Sequence, residues 1–152
     1  IRSLGVKLKL SSTKSIVKNK SIILIDNSLV RGTTCHKIVK MLYEAGAKDV
    51  HVRIACPEIK YPDFYGVDMQ TKNELLAHEK TTQEMCEYIK AKSLKFLSLD
   101  GLYTALEKGK RNNSYPQFSD HYFTGEYPIK PSDNLGDLKI KQLSLLSVKS
   151  NN

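Results

Sequence analysis

Disulfide and zinc chemistry have little support in this sequence. Its three cysteines, Cys35, Cys56 and Cys86, are an odd number at spacings that include no CxxC pair. Such a set argues against a disulfide framework or a zinc site and favours a reducing compartment. Apolar runs near the roughly 20 residues that span a bilayer are also missing, as is a signal-peptide pattern. We therefore expect a cytoplasmic protein with no membrane segment.

Acidic residues are scarce at the start of the chain. Residues 1–20 carry six lysines and arginines and no acid, within a chain of net charge +8. Such a segment attracts nucleic acid or phosphorylated small molecules, or it is only a solvated basic face. Nothing in the sequence resembles a helix-turn-helix, a zinc finger or an aromatic RNA-binding motif. A nucleic-acid partner is therefore not our leading expectation.

The length and composition suit a single core. With 152 residues and 40% hydrophobic content, the chain is expected to form one domain. It opens at Ile1, in the basic segment and with no predicted element before it, so we expect the C-terminal piece of a longer protein. Residues 131–152 are polar and lack periodicity, and we expect them to form a disordered tail after a folded portion at 1–130.

The first half of the chain predicts a strand–helix–strand unit. Residues 21–26 contain four consecutive aliphatic residues, an apolar run typical of a strand covered on both faces. A helix is predicted from about Thr34 to Ala45, with Gly46 at its C-terminal cap, and the next strand covers 49–56. A unit of about 35 residues suits a right-handed parallel crossover, which predicts an α/β fold.

The second half predicts shorter elements. A short helix is expected near 73–78, and a second helix runs from a Thr81–Glu84 capping box to about Lys90. A strand over 94–99 follows, and then a helix from Asp100 or Gly101 to about Lys108. Residues 109–120 are predicted to form a loop, and the segment at 121–128 is expected to pack back on the body.

The segment SIILIDNSLVRGTT, residues 21–34, is the strongest functional signal. Asp26 closes the strand, and Gly32 allows a backbone conformation that other residues disfavour. Thr33 or Thr34 can cap the helix that follows, and the first N–H groups of that helix form an anion site. An ordinary strand-to-helix turn does not need this series of an acid, a serine, an arginine, a glycine and threonines. The spacing therefore predicts a phosphate-binding loop.

This segment closely resembles the signature with which type I phosphoribosyltransferases bind 5-phosphoribosyl 1-pyrophosphate (PRPP). The segments GVKLKL, EAGAKDVHV, CPEIKYPDFYGVDM, ELLAH and FTGEYP follow one another in the order seen in the amidophosphoribosyltransferase family. EIKYPDFYGVDM and ELLAH separate this family from the purine-salvage enzymes and from orotate phosphoribosyltransferase. The resemblance covers residues 1–130 and implies a partial type I phosphoribosyltransferase fold, a parallel sheet with flanking helices.

Members of this family join a glutaminase domain to a transferase domain and form 5-phosphoribosylamine from PRPP and glutamine-derived ammonia in de novo purine biosynthesis. The resemblance implies that this chain is the PRPP-binding part, without the N-terminal cysteine nucleophile of the glutaminase and without the pyrophosphate loop. We therefore expect the chain to be inactive alone and to need a partner, either the missing half or further copies of itself.

By resemblance, the loop holds the 5-phosphate of PRPP and the strand end addresses the ribose hydroxyls and Mg²⁺. The implied PRPP-binding residues are Asp26, Asn27, Ser28, Val30, Arg31, Gly32, Thr33 and Thr34. Asp26 and Asn27 are also the implied metal positions, since Mg²⁺ prefers carboxylate oxygens. Arg31 either pairs with phosphate or is a solvated loop residue.

Asn27 departs from the family pattern, which has a second acid at this position. An amide has no negative charge, so it cannot stabilise Mg²⁺ or the developing positive charge on the ribose as a carboxylate would. One lost charge-assisted contact costs about 1.5–3 kcal/mol, or roughly 10- to 150-fold in affinity or rate. We therefore expect Mg²⁺ binding to be weakened.

Some members of the family hold an iron–sulfur cluster through cysteines. The matching positions carry Asp63, Ser119 and Tyr122 here, and because a cluster needs thiolates we expect none. The remaining alternative is a non-catalytic module that senses PRPP or binds nucleic acid. Its marker would be DNA binding that weakens steeply with salt.

Overall fold

The computed structural model describes residues 14–66 and 71–129. Within them, three parallel strands form one sheet in the order β1 (Ser21–Asp26), β2 (Asp49–Ile54) and β3 (Ser93–Phe96). This is the predicted α/β arrangement of a parallel sheet with flanking helices. The basic residues 1–13 and the expected tail at 131–152 lie outside the described residues.

Helices connect and flank the strands. They are α1 (Lys14–Val17), α2 (Thr33–Glu44), α3 (Leu76–Glu79), α4 (Thr82–Ile89), α5 (Leu99–Ala105) and α6 (His121–Thr124), with a 3-10 turn at Lys72–Glu74. The predicted capping box is confirmed, since the Thr81 hydroxyl accepts from the Glu84 amide while the Glu84 carboxylate accepts from the Thr81 amide. The single helix predicted near 73–78 is wrong, because an extended Leu75 separates the 3-10 turn from α3.

The core lies on one face of the sheet. Val50, Val52 and Ile54 alternate along β2 and are almost fully buried. Helix α2 packs on them through Val39 and Leu42, which lie three residues apart on one helical face. Helix α4 contributes further buried side chains to the same cluster. This packing fixes the carboxyl ends of β1 and β2, where the chain leaves the sheet toward its helices.

The opposite face of β1 is open among the described residues. Ile23 and Ile25 are 65% and 72% exposed, whereas Ile22 and Leu24 pack against the core. The prediction that this strand is covered on both faces is therefore wrong for the part of the chain that the structure describes. Helices cover one side of β1, and β1 is one of the two edge strands of the described sheet, with β3 at the other edge.

The last described segment folds back as predicted. The amides of Lys60 and Tyr61 both donate to the carbonyl oxygen of Tyr122, at 2.9 and 3.1 Å. The Tyr127 hydroxyl donates to the Pro62 carbonyl at 2.9 Å. Residues 121–129 are thus tied to the loop that follows β2. None of the helices in residues 14–66 and 71–129 is both long enough and apolar enough to cross a membrane.

Candidate functional site

The loop between β1 and α2 turns sharply at a glycine. Gly32 has φ 72° and ψ −12° and is the N-cap of α2, so the left-handed backbone predicted here is confirmed. The predicted capping by Thr33 or Thr34 is wrong, because the cap makes no side-chain hydrogen bond and both threonines lie inside the helix. A threonine caps only from the position before the helix, which Gly32 occupies.

Close packing adds a second reason for glycine at this position. A Cβ atom on Gly32 would lie 2.8 Å from Leu76 Cδ2 and 3.0 Å from Tyr88 Cε1. The loop backbone is therefore pressed against side chains from α3 and α4. Both the turn and its position against the body require the absence of a side chain.

The predicted ligand residues line one cleft at the carboxyl end of β1. The cleft has a volume of about 520 Å³, within the usual range of small-molecule sites. All eight residues implied by the resemblance contribute to it: Asp26, Asn27, Ser28, Val30, Arg31, Gly32, Thr33 and Thr34. Ligands of open α/β sheets commonly bind at this end of the strands. The structure thus brings the whole predicted set together, while their roles in binding stay predictions.

The strand end supplies one carboxylate and one amide to this cleft. Asp26 Oδ1 accepts a 2.9 Å hydrogen bond from the backbone N–H of Asn27. The Ser28 hydroxyl lies 3.4 Å from the side-chain oxygen Oδ1 of Asn27. Within residues 14–66 and 71–129, no group of three or more acidic, histidine or cysteine side chains could hold a metal ion. A Mg²⁺ ion here would therefore rely on Asp26, with oxygens from its ligand completing the shell.

Two buried or half-buried thiols lie near Asp26 but are poor nucleophiles. Burial, and next the negative charge of Asp26, raise the pKa of Cys35 to about 11. The same two causes raise the pKa of Cys56. Both thiols stay protonated at neutral pH, and thiols react as thiolates.

Glu74 is a cleft residue that the sequence did not reveal. Its carboxylate lies 2.5 Å from Arg31 Nη2, and it lines the same cleft as the loop residues. The two residues are 43 positions apart, so no local pattern indicated the contact. The available signal was the position of Glu74 at the start of ELLAH, a segment that already carried the resemblance.

Two histidines fix the neighbourhood of the loop through their Nδ1 atoms. His36, in the first turns of α2, lies 2.9 Å from the carbonyl oxygen of Tyr88. His78 lies 3.0 Å from the carbonyl oxygen of Lys60. These contacts tie α2 and α3 to neighbouring segments.

Two of the three positions that match cluster cysteines, Asp63 and Ser119, are joined by hydrogen bonds to His121. His121 Nε2 lies 2.6 Å from Asp63 Oδ1, and both side chains are at most 3% exposed. His121 Nδ1 lies 3.0 Å from the Ser119 hydroxyl. Asp63 and Ser119 therefore serve to hold the returning segment against the loop after β2, and neither offers a thiolate.

The chain is similar to amidophosphoribosyltransferases of several organisms. It is 49% identical to the enzyme of Rhizobium etli over 148 residues, which are 97% of this chain and 30% of that relative. It is 48% identical to the enzyme of Staphylococcus aureus over 128 residues, 84% of this chain and 26% of the relative. It is also 44% identical to amidophosphoribosyltransferase 2, chloroplastic, of Arabidopsis thaliana, over 88% of this chain and 23% of the relative.

Solved structures give the same result. The glutamine PRPP amidotransferase of B. subtilis complexed with ADP and GMP superposes with a TM-score of 0.68 at 42% identity, covering 76% of this chain and 25% of that one. A structure described as the allosteric regulatory enzyme of purine biosynthesis gives a TM-score of 0.65 at 41% identity. No protein-family model matches the chain. The chain spans less than a third of the length of the relatives it matches.

Proposed function

Because the chain belongs to the amidophosphoribosyltransferase family, we propose that its β1–α2 loop binds the 5-phosphate and ribose of PRPP. The observation that carries this proposal is the single cleft lined by Asp26, Asn27, Ser28 and the residues of the Gly32 turn. The amides of the first turn of α2 have no intrahelical acceptor, and the helix dipole favours an anion at this end. The threonine hydroxyls add two further donors to a phosphate.

Asp26 is the proposed contact to the ribose hydroxyls and to Mg²⁺. It lies at the end of β1, where the cleft begins, and its carboxylate is half-buried. Asn27 is exposed and has an amide oxygen but no charge. We therefore propose that Mg²⁺ assists PRPP binding weakly in this chain. The charge of Asp26 is the protein's main contribution to that site.

The reaction proposed for the complete protein is displacement of pyrophosphate from PRPP by glutamine-derived ammonia, giving 5-phosphoribosylamine for purine synthesis. This chain would hold the ribose of PRPP in one orientation, because it would bind the 5-phosphate at one end of the sugar and the hydroxyls at the other. The position of the anomeric carbon, where ammonia attacks, would then be restricted. We propose that the chain alone binds but does not catalyse, because it spans less than a third of the length of its relatives.

The open face of β1 supports a partner for the chain. Ile23 and Ile25 expose apolar surface on an edge strand, and parallel sheets are normally covered on both faces. We propose that this face meets the rest of the transferase, or a further copy of the chain. A cytoplasmic setting suits the proposal, because all three cysteines are free thiols.

The experiment is a calorimetric titration of the 152-residue chain with PRPP and Mg²⁺. Two variants accompany it: Asp26→Asn, which removes the proposed ligand charge, and Asp49→Asn, which removes the same charge at the opposite end of the sheet. We expect PRPP binding that D26N abolishes and D49N leaves intact. Absence of binding by a chain with a cooperative unfolding transition would overturn the proposal. Salt-sensitive DNA binding in its place would favour the regulatory alternative.

A further inference from the structure

The arginine of the loop pairs with an acidic side chain from a distant segment. Arg31 Nη2 and Glu74 Oε2 are 2.5 Å apart, and both residues line the 520 Å³ cleft proposed to bind phosphate. Every other residue that lines this cleft belongs to the continuous stretch 26–35. A carboxylate from a distant segment therefore lies where an anionic ligand is expected, and like charges oppose each other there.

The position of Glu74 is set by the backbone on its C-terminal side. The Leu76 amide donates a 2.9 Å hydrogen bond to the Val30 carbonyl, so the segment 74–76 is attached to the loop itself. Leu75 is 1% exposed and anchors the segment in the body. Glu74 is thus held beside Arg31 by contacts that do not depend on their ion pair.

The strength of the pair suits an exchangeable contact. The Arg31 and Glu74 side chains are 57% and 44% exposed, and ion pairs as exposed as this one contribute little to stability. Arginine binds phosphate through two parallel, charge-assisted hydrogen bonds. A phosphate can therefore take the guanidinium from Glu74 at small cost.

Resting on the proposed function, we infer that Glu74 competes with the ligand phosphate for Arg31. It holds the guanidinium beside the loop when the cleft is empty and lowers the affinity for phosphate by its own charge. Glu74 is a positioning residue in this scheme, because it acts through Arg31 and touches no reacting atom. This role resolves the two alternatives for Arg31: the residue is neither purely solvated nor permanently available to phosphate.

The test uses ribose 5-phosphate as the probe, which carries the phosphate and ribose but neither pyrophosphate nor a need for Mg²⁺. The 152-residue chain is compared with Glu74→Gln, which keeps the side-chain shape, and with Glu44→Gln. Glu44 is the matched control, because it is 59% exposed and pairs with Lys40 at the far end of α2. We expect E74Q to bind ribose 5-phosphate roughly two- to fivefold more tightly and E44Q to leave the affinity unchanged.

A second readout follows the arginine itself. The NMR signal of the Arg31 Nε–H group should move in E74Q without ligand, and should move in the original chain as ribose 5-phosphate is added. An unchanged or weaker affinity in E74Q would overturn the inference while leaving the proposed function standing. Failure of every folded variant to bind would overturn both. Glu74→Asp is the second variant if E74Q does not fold, since the shorter side chain withdraws the carboxylate and should also tighten binding.

Discussion

The amide of Leu76 donates a 2.9 Å hydrogen bond to the carbonyl oxygen of Val30. This contact joins the candidate ligand loop to a segment more than 40 residues later in the chain. It brings Glu74 to the cleft and presses Leu76 against Gly32. The shape of the loop therefore does not depend on residues 26–34 alone, because the ELLAH segment contacts the loop backbone at Val30 and Gly32.

Substitution of Gly32 by alanine tests this support. Gly32 and Gly109 both have left-handed backbones, with φ of 72° and 67°, but a Cβ on Gly109 meets nothing within 4 Å. The backbone conformation alone costs alanine about 1–2 kcal/mol, and overpacking adds roughly 1–3 kcal/mol. We expect Gly32→Ala to lower the free energy of unfolding by at least about 1 kcal/mol more than Gly109→Ala.

Urea denaturation of the two glycine variants measures the difference. Equal losses would show that Leu76 and Tyr88 move aside without cost. The loop would then owe its shape to the backbone conformation of Gly32 alone, without support from α3 and α4. PRPP titration of the same variants adds a functional readout, in which G32A should weaken binding and G109A should not.

Local signals in the sequence predicted much of this fold. The run of aliphatic residues before Asp26 gave β1 with its observed bounds, and the Thr81–Glu84 pair located the start of α4. Both signals depend on residues that are close together in the chain. The cleft could also be predicted, because its lining is almost entirely one continuous segment.

The remaining features depend on contacts between distant residues. Glu74 and Tyr88 reach the loop only because α3 and α4 pack beside it, and no spacing in the sequence encodes that contact. The exposure of Ile23 and Ile25 could not be predicted for a similar reason. A run of aliphatic residues is compatible with a strand covered on one face and with a strand covered on both. The hydrogen-bonded pair of Asp63 and His121 spans 58 residues.

Restoring the second acid of the family pattern should strengthen the metal-dependent site. Asn27→Asp adds a carboxylate next to Asp26, and one charge-assisted contact is worth about 1.5–3 kcal/mol. We expect PRPP binding in the presence of Mg²⁺ to tighten by roughly 10- to 150-fold. Asn19→Asp is the control, because it makes the same charge change in the turn that precedes β1.

The gain should depend on the metal. Without Mg²⁺, the added negative charge has only the phosphates of PRPP to interact with, so N27D should bind no better than the original chain. Calorimetric titrations with Mg²⁺ and with a chelator distinguish the two conditions. Tighter binding in the chelator would contradict a metal role for position 27.

Asp120 should make the stability of the chain sensitive to acid. Its carboxylate accepts hydrogen bonds from Arg111 Nε at 2.6 Å and from the Tyr103 hydroxyl at 2.7 Å. Burial acts to raise the pKa of Asp120, but the hydrogen bonds from Arg111 and Tyr103 outweigh it and hold the pKa below its ordinary value of 3.8. A carboxyl with a depressed folded pKa stabilises the protein above its unfolded pKa, and this contribution is lost as pH falls through the folded value.

The variant Asp120→Asn removes this contribution. At pH 7 we expect a loss of about 3 kcal/mol, the lower end for breaking a buried pair, because Arg111 keeps its contact with Glu126. The difference in unfolding free energy between the two chains should shrink below pH 4. Urea denaturation between pH 3 and 7 measures it, with Glu44→Gln as the control for an exposed carboxylate outside this network. A difference that stays constant with pH would contradict the assignment.

The exposed side of β1 gives a prediction about assembly. Ile23 and Ile25 are 65% and 72% exposed, whereas Ile22 on the same strand packs against the core. Replacing both exposed residues by threonine keeps the strand preference and removes apolar surface. We expect the double variant to keep its unfolding free energy within about 0.5 kcal/mol and to self-associate less in light scattering after gel filtration. Ile22→Thr should instead destabilise the chain without changing its association.

The two readings of that face differ in what they predict for stability. If this face binds another chain, the free energy of unfolding of the isolated protein should not fall when Ile23 and Ile25 are replaced by threonine, because neither side chain is packed. If the two side chains are instead packed in the folded chain, the double variant should lose more than about 2 kcal/mol, as large-to-small changes in a core do. A loss of that size would remove the case for a partner on β1 and would make the chain self-sufficient at this edge.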